Sequence, residues 1–324
     1  MKKVIAILLC ALMVFPFYAC GKKDENEITV VLDWTPNTNH TGLYVALEKG
    51  YYKDLGLNVK IEQPPEDGAA ALVASGKAQF GVDFQDYLAP AFSKDDPLPV
   101  TAVAAIIQHN TSGIISTKDK GIKEAKDLEG HSYATWELPI EQSIIADSMK
   151  KQGGDFSKVE LIPSTVTDTM TAIKESVDSV WIYYAWDGVA CDVKGLDTNY
   201  FAFKDIDPAF DYYTPVLIAN NDFLKDSPEL AKKFLEATTK GYEYCVKNPE
   251  KAADILLDAA PELDRDIVTA SQKYLADKYI DDAKRWGEFD AKRWNGFFDY
   301  LSENKLIEKE IADNYGFSND YLPK

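Results

Sequence analysis

Short clusters of aromatic, amide and acidic residues follow strand-like apolar runs at five places in the chain. Asp33, Trp34 and Asn37 come after the first run, Asp83, Phe84, Gln85, Asp86 and Tyr87 after the third, and Gln108, His109 and Asn110 after the fourth. Trp136 and Glu137 follow a run in the middle of the chain, and Tyr183, Tyr184, Trp186 and Asp187 a later one. Flat side chains stack on a flat ring. Carboxylates and amides accept hydrogen bonds from ring and exocyclic N–H groups. Together these groups suit a planar, nitrogen-rich small molecule. No Arg or Lys stands in these clusters; the nearest, Lys94 and Lys118, read as solvated. A sulfonate, phosphate or nitrate would want an Arg or a backbone nest.

Catalytic chemistry finds little to use. The histidines are His40, His109 and His131, and no G-x-S-x-G, H-E-x-x-H or P-loop occurs. No C-x-x-C occurs either, which argues against zinc and thioredoxin chemistry. We therefore expect a binding protein, not an enzyme, with no metal and no cofactor. The candidate ligand-binding residues are Trp34, Asn37, His40, Asp83, Gln85, Tyr87, Gln108, His109, Trp136, Glu137, Tyr184, Trp186 and Asp187. Several carry a second reading. Trp34 can cover a domain edge, and Asn37 can serve as the turn residue after Pro36. His40 can begin the helix that follows it, and Glu137 can be an acid favoured by a helix N-terminus.

The elements that must position these groups alternate. "EITVVLDW", "LNVKIEQ", "AQFGVDF" and "VTAVAAIIQ" read as strands, separated by the helical stretches "HTGLYVALEKGYY", "EDGAAALVASGKA" and "DYLAPAFSK". The fourth strand is apolar almost throughout, as a strand buried on both faces is. "GIISTK" is a strand that leads, through a short helix at "IKEAKDLEG", into a second series: "SYATW", "ELPIEQSIIADSMKKQGG", "KVELIPS", "TDTMTAIKES", "SVWIYYAW" and "NYFAFKDID". "YYTPVLIANNDFL" contains a returning strand, and helices follow it. Ser227 with Pro228, and Asn248 with Pro249, read as helix starts. Trp294, Phe297 and Leu301 share a helix face as a packing stripe. Strands alternating with helices imply α/β architecture with largely parallel sheets, and some 300 residues usually make two domains.

The chain begins "MKKVIAILLCALMVFPFYAC". Basic residues, a short apolar run and a small residue make a secretory signal over residues 1–19, too short to span a membrane. Its end resembles a bacterial lipobox, which implies lipidation of Cys20; the plainer reading is cleavage near Ala19. Residues 20–26 then form a charged tether, placing the protein outside the cytoplasm and anchored to the membrane. Without the two leader lysines the chain has 33 basic against 53 acidic residues. Such a surface does not coat nucleic acid or anionic lipid. Cys191 and Cys245 can pair in an oxidising compartment or simply be small buried residues.

"GLYVALEKGYYKDLGLNVKIE", "GKAQFGVDF", "AAIIQHNTSGIIS", "KEAKDLEGHSYAT" and "YYTPVLIANNDFL" occur in this order along nearly the whole mature chain. Together they resemble the NMT1/THI5-like solute-binding family, which includes sulfonate, riboflavin and thiamine-pyrimidine binders and the yeast-type pyrimidine synthases. "LDWTPNTNHTGLYVA" and "QHNTSGII" are most similar to the pyrimidine-binding branch. The resemblance implies a two-lobed periplasmic-binding-protein-like (type II) α/β fold with two crossover segments. Lobe one would hold residues 27–112 and 216–324, and lobe two residues 113–215. A monomer would deliver a thiamine-related aminopyrimidine to the permease of an ABC importer; riboflavin or another flat heterocycle is the alternative. In "YYAWDGVA", Tyr184 and Asp187 correspond to the aromatic and acidic positions of the family's pyrimidine sites, with Asp where Glu is the rule. The synthases carry a cysteine-rich iron-binding motif, and the corresponding "VACDVKG" has one Cys.

Overall fold

The structure is a computed structural model and describes residues 26–65 and 68–324. The signal segment 1–19 and Cys20 lie outside the described residues. Ten strands run in chain order as β1 (Glu27–Val31), β2 (Asn58–Glu62), β3 (Phe80–Asp83), β4 (Val100–Ala105), β5 (Ser112–Thr117), β6 (Ser132–Thr135), β7 (Glu160–Pro163), β8 (Ser179–Tyr183), β9 (Thr198–Ala202) and β10 (Val216–Asn220). The helices are α1 (Thr41–Glu48), α2 (Tyr51–Asp54), α3 (Gly68–Ala74), α4 (Gln85–Phe92), α5 (Pro139–Lys151), α6 (Thr169–Glu175), α7 (Val189–Val193), α8 (Asn221–Asp226), α9 (Pro228–Lys247), α10 (Pro249–Ala259), α11 (Arg265–Ala276) and α12 (Ala291–Glu303).

Two five-stranded sheets result, ordered β2-β1-β3-β10-β4 and β7-β6-β8-β5-β9. Four strands of each run the same way. The reversed strands are β10 in the first sheet and β5 in the second, each antiparallel to both its neighbours. These are the strands by which the chain enters each lobe from the other, so they approach from the opposite end. All of β5 and β10 is buried, and β4 is buried at all but one position, as its apolar sequence predicts. The two-lobed periplasmic-binding architecture is thus present, with mixed sheets.

The crossings lie side by side. The Asn110 side chain donates to the Phe210 carbonyl at 2.8 Å, and its backbone N–H donates to Asp211 at 2.9 Å. The helical C-terminal third packs mainly on the first lobe. On α9 the buried residues Ala231, Phe234, Leu235, Thr238, Tyr242 and Cys245 recur at helical spacing. Gly241 lets α9 approach α1 closely: a Cβ there would sit 2.0 Å from the Gly42 carbonyl oxygen. Trp294, Phe297 and Leu301 of α12 are fully buried.

Some local expectations change. The helix expected at "IKEAKDLEG" is a 3-10 turn, Ala125–Leu128. Strand β8 stops at Tyr183, and Tyr184–Gly188 coil into a π-helical turn. Ser227 and Asn248 do precede α9 and α10, with Pro at N1, but neither side chain caps its helix. Asn248 turns back to donate to the Tyr244 carbonyl. Cys191 and Cys245 are separate buried free thiols.

Candidate functional site

Strand β1 ends by delivering Asp33 to the gap between the lobes, and the following turn fixes that carboxylate. The Asn37 N–H donates to His40 Nδ1, so Nε2 carries the hydrogen and donates it to Asp33 Oδ1, 2.5 Å from the nitrogen. His40 is wholly buried. It therefore holds the turn and aims Asp33. Asn37 caps the turn: its Oδ1 accepts from the Asn39 N–H at 2.9 Å, and its amide donates to the Thr35 carbonyl. Trp34 stands on the rim, 61% exposed.

Strand β3 and the first turn of α4 bring Asp83, Phe84, Asp86 and Tyr87 to the same place. Asp83 accepts from the Phe84 N–H at 2.7 Å. Burial pushes the Asp83 carboxyl up to about 7, and the nearby charges of Asp33 and Asp86 add to the effect. Burial likewise pushes Asp86 to about 7; the Tyr212 hydroxyl approaches one oxygen at 3.5 Å, and the other has no partner. Among the described residues no Lys or Arg pairs with Asp33, Asp83 or Asp86. Tyr87 is half exposed, and its hydroxyl is pushed up to about 12 by burial and then by Asp86, Asp83 and Glu141. From the second lobe, Tyr183 faces Phe84 with rings nearly parallel, 13° apart and 6.0 Å between centroids.

The remaining sequence-predicted residues are placed as follows. Asp187 accepts from the Thr169 hydroxyl at 2.9 Å, and burial raises its pKa. Trp186 crosses the seam to pack on Ala253, Leu256, Leu257 and Val268. Tyr184 is not brought to the Phe84 side: the π turn rotates it onto Tyr200 and Tyr274, and its hydroxyl donates to Asp192 at 2.6 Å. Gln85 faces inward, where its amide joins the Tyr213 N–H and the Trp294 carbonyl. Gln108 is buried and donates to the Glu288 carbonyl. His109 lies at the crossings between Asp211 and Asp282, and the Asp211 hydrogen bond raises its pKa. Trp136 tilts on Trp181 at 5.9 Å, and Glu137 is exposed with a φ of 61°.

That left-handed backbone is held by Glu141, which sequence reading missed. Its carboxylate accepts from the Tyr133 and Thr135 hydroxyls and from the N–H groups of Trp136 and Leu138. An acid three residues past Leu138 at the start of α5 is the acidic half of a capping box, visible in the sequence; Leu138 has no side-chain acceptor for the other half. Tyr212 and Thr169 carry no comparable signal.

His109, Asp281 and Asp282 present ligand atoms within 4.8 Å of one another. The Arg293 guanidinium already lies 3.7 Å from Asp282 and 3.5 Å from Asp211, opposing a cation there. The Cys191 thiol is pushed up to about 11 by burial and then by Asp187 and Asp192.

The chain is 28% identical to the formylaminopyrimidine-binding protein of Halalkalibacterium halodurans, over 98% of both chains. It is 26% identical to 4-amino-5-hydroxymethyl-2-methylpyrimidine phosphate synthase THI11 of Saccharomyces cerevisiae, over 92% of this chain and 88% of that one. Among solved structures, the periplasmic aliphatic sulphonate binding protein SsuA from Escherichia coli superposes with a TM-score of 0.67 at 12% identity, covering 92% of this chain and 94% of its own. Residues 37–252 match the family described as NMT1/THI5 like, and the chain belongs to that family.

Proposed function

We propose that this protein is an extracytoplasmic solute-binding protein that captures a thiamine-related aminopyrimidine between its lobes. The observation that carries the reading is the set of uncompensated carboxylates, Asp33, Asp83 and Asp86, beside the Phe84 and Tyr183 rings. Acids without cations want N–H donors, which an aminopyrimidine supplies along one edge. An aspartate near pH 7 either accepts from an amino group or shares its proton with a ring nitrogen. A ring sandwiched between Phe84 and Tyr183 needs about 7 Å, two stacking gaps of about 3.5 Å each. The ring centroids stand 6.0 Å apart, so the lobes must part for it to enter. Trp34, Tyr87 and Asp187 complete the clamp.

The relative named as a formylaminopyrimidine binder supports this ligand class. The leader sequence supports export and a lipid anchor at Cys20, and we place the protein at the membrane as a monomer serving an ABC permease. A second reading, pyrimidine synthesis, draws on the relatives named as synthases. The single Cys of "VACDVKG", where the synthases carry a cysteine-rich motif, weighs against it. Isothermal titration with formylaminopyrimidine, hydroxymethylpyrimidine, thiamine, riboflavin and taurine tests the proposal. We expect the first two to bind most tightly; binding of taurine alone would sink the reading, and turnover of a bound pyrimidine would move the protein to the synthase class.

A further inference from the structure

A cavity of about 330 Å³ opens on the seam between the lobes, next to the carboxylates. Its walls are apolar: Trp136, Ile140, Ile144 and Trp181 from the second lobe, Pro90 and Leu306 from the first. Asp86 and Tyr87 stand at one end and belong to both the cavity and the carboxylate group. The apolar walls therefore meet the carboxylate group at Asp86 and Tyr87. The walls are also preset. Glu141 fixes the 136–138 loop through two N–H groups and two hydroxyls, and Trp136 rests on Trp181.

We infer that this cavity is a second compartment of the binding site, built for an apolar arm attached to the nitrogen-rich ring. An apolar cavity of about 150 Å³ accommodates a benzene ring, so this volume takes one ring with its linker, or two small rings. The favoured substrate class is therefore an aminopyrimidine extended at one ring position, not the bare heterocycle. This inference rests on the aminopyrimidine reading above.

The test is titration of the full chain with 4-amino-5-hydroxymethyl-2-methylpyrimidine and with its benzyl ether, whose ring is the arm. We expect the ether to bind at least about 10-fold more tightly, the gain from burying one aromatic ring. Leu306→Trp, which fills the cavity from the first lobe, should bring the ratio of the two affinities to about one. Parent binding without any gain for the ether overturns the compartment alone, as does a ratio that survives Leu306→Trp. Failure of both probes to bind overturns the aminopyrimidine reading, and the compartment with it.

Discussion

Asp83→Asn should make the unliganded protein more stable and the liganded one weaker. The amide oxygen of Asn still accepts from the Phe84 N–H, so the change removes a charge and little else. In the folded protein the Asp83 carboxyl sits at about 7 against an ordinary value of 3.8. The folded state therefore holds this proton more tightly than the unfolded chain. For a carboxylate raised in this way the sign is unfavourable: stability falls as pH rises from about 4 to about 7 and is level above that. Each pH unit in the window costs about 1.36 kcal/mol. Between pH 5 and pH 8 the wild type crosses about two such units, so Asp83 removes roughly 3 kcal/mol over that interval. Asn has no such penalty. Urea midpoints of the two proteins at pH 5 and pH 8, without ligand, give the difference directly. The variant should gain on the wild type by roughly 2–3 kcal/mol on going to pH 8, and its aminopyrimidine affinity should fall about 10- to 100-fold for loss of one charged hydrogen bond. A stability difference that is the same at both pH values would refute the uncompensated-carboxylate argument.

Three further perturbations follow from the packing. His40→Ala strands Asp33 and the Asn37 N–H and leaves a void, so urea midpoints should show a loss of about 2–4 kcal/mol. Glu141→Gln cannot accept from all four donors that pin the 136–138 loop; stability should fall by about 2–3 kcal/mol, and ligand affinity with it. Gly241→Ala pushes a Cβ into the Gly42 carbonyl and should cost about 3 kcal/mol. Gly296→Ala, on α12 with open space around it, should instead gain up to about 1 kcal/mol, and thermal melts of this pair check both signs.

Much of the fold was legible because its strands and helices announce themselves by period. β4, β5 and β10 are apolar runs, and each is buried as such runs are. Strand direction was harder to see, since a buried run reads the same parallel or antiparallel; β5 and β10 reverse for topological reasons outside their own residues. The site was readable by residue type and less so by orientation. At the end of β8 two tyrosines stand together, and only the π turn decides that Tyr183 meets Phe84 while Tyr184 goes to Tyr200. Gln85 sits among acids and aromatics in sequence, yet both ends of its amide bond the backbone of distant elements. His40, which could begin a helix or line a cleft, instead stands behind Asp33 and holds it in place.

The strand orders imply a timetable for synthesis. β5 to β9 are contiguous in the chain, so the second sheet can close once residue 202 has emerged. The first sheet cannot, because β10 separates β3 from β4 and is the last strand made. Until it arrives, β3 and β4 each present an open edge, the form in which strands pair wrongly with other chains. During synthesis, then, the nascent protein passes through a stage with one finished lobe and one split lobe. That interval, ended by the arrival of Val216–Asn220, is where a chaperone would do most good.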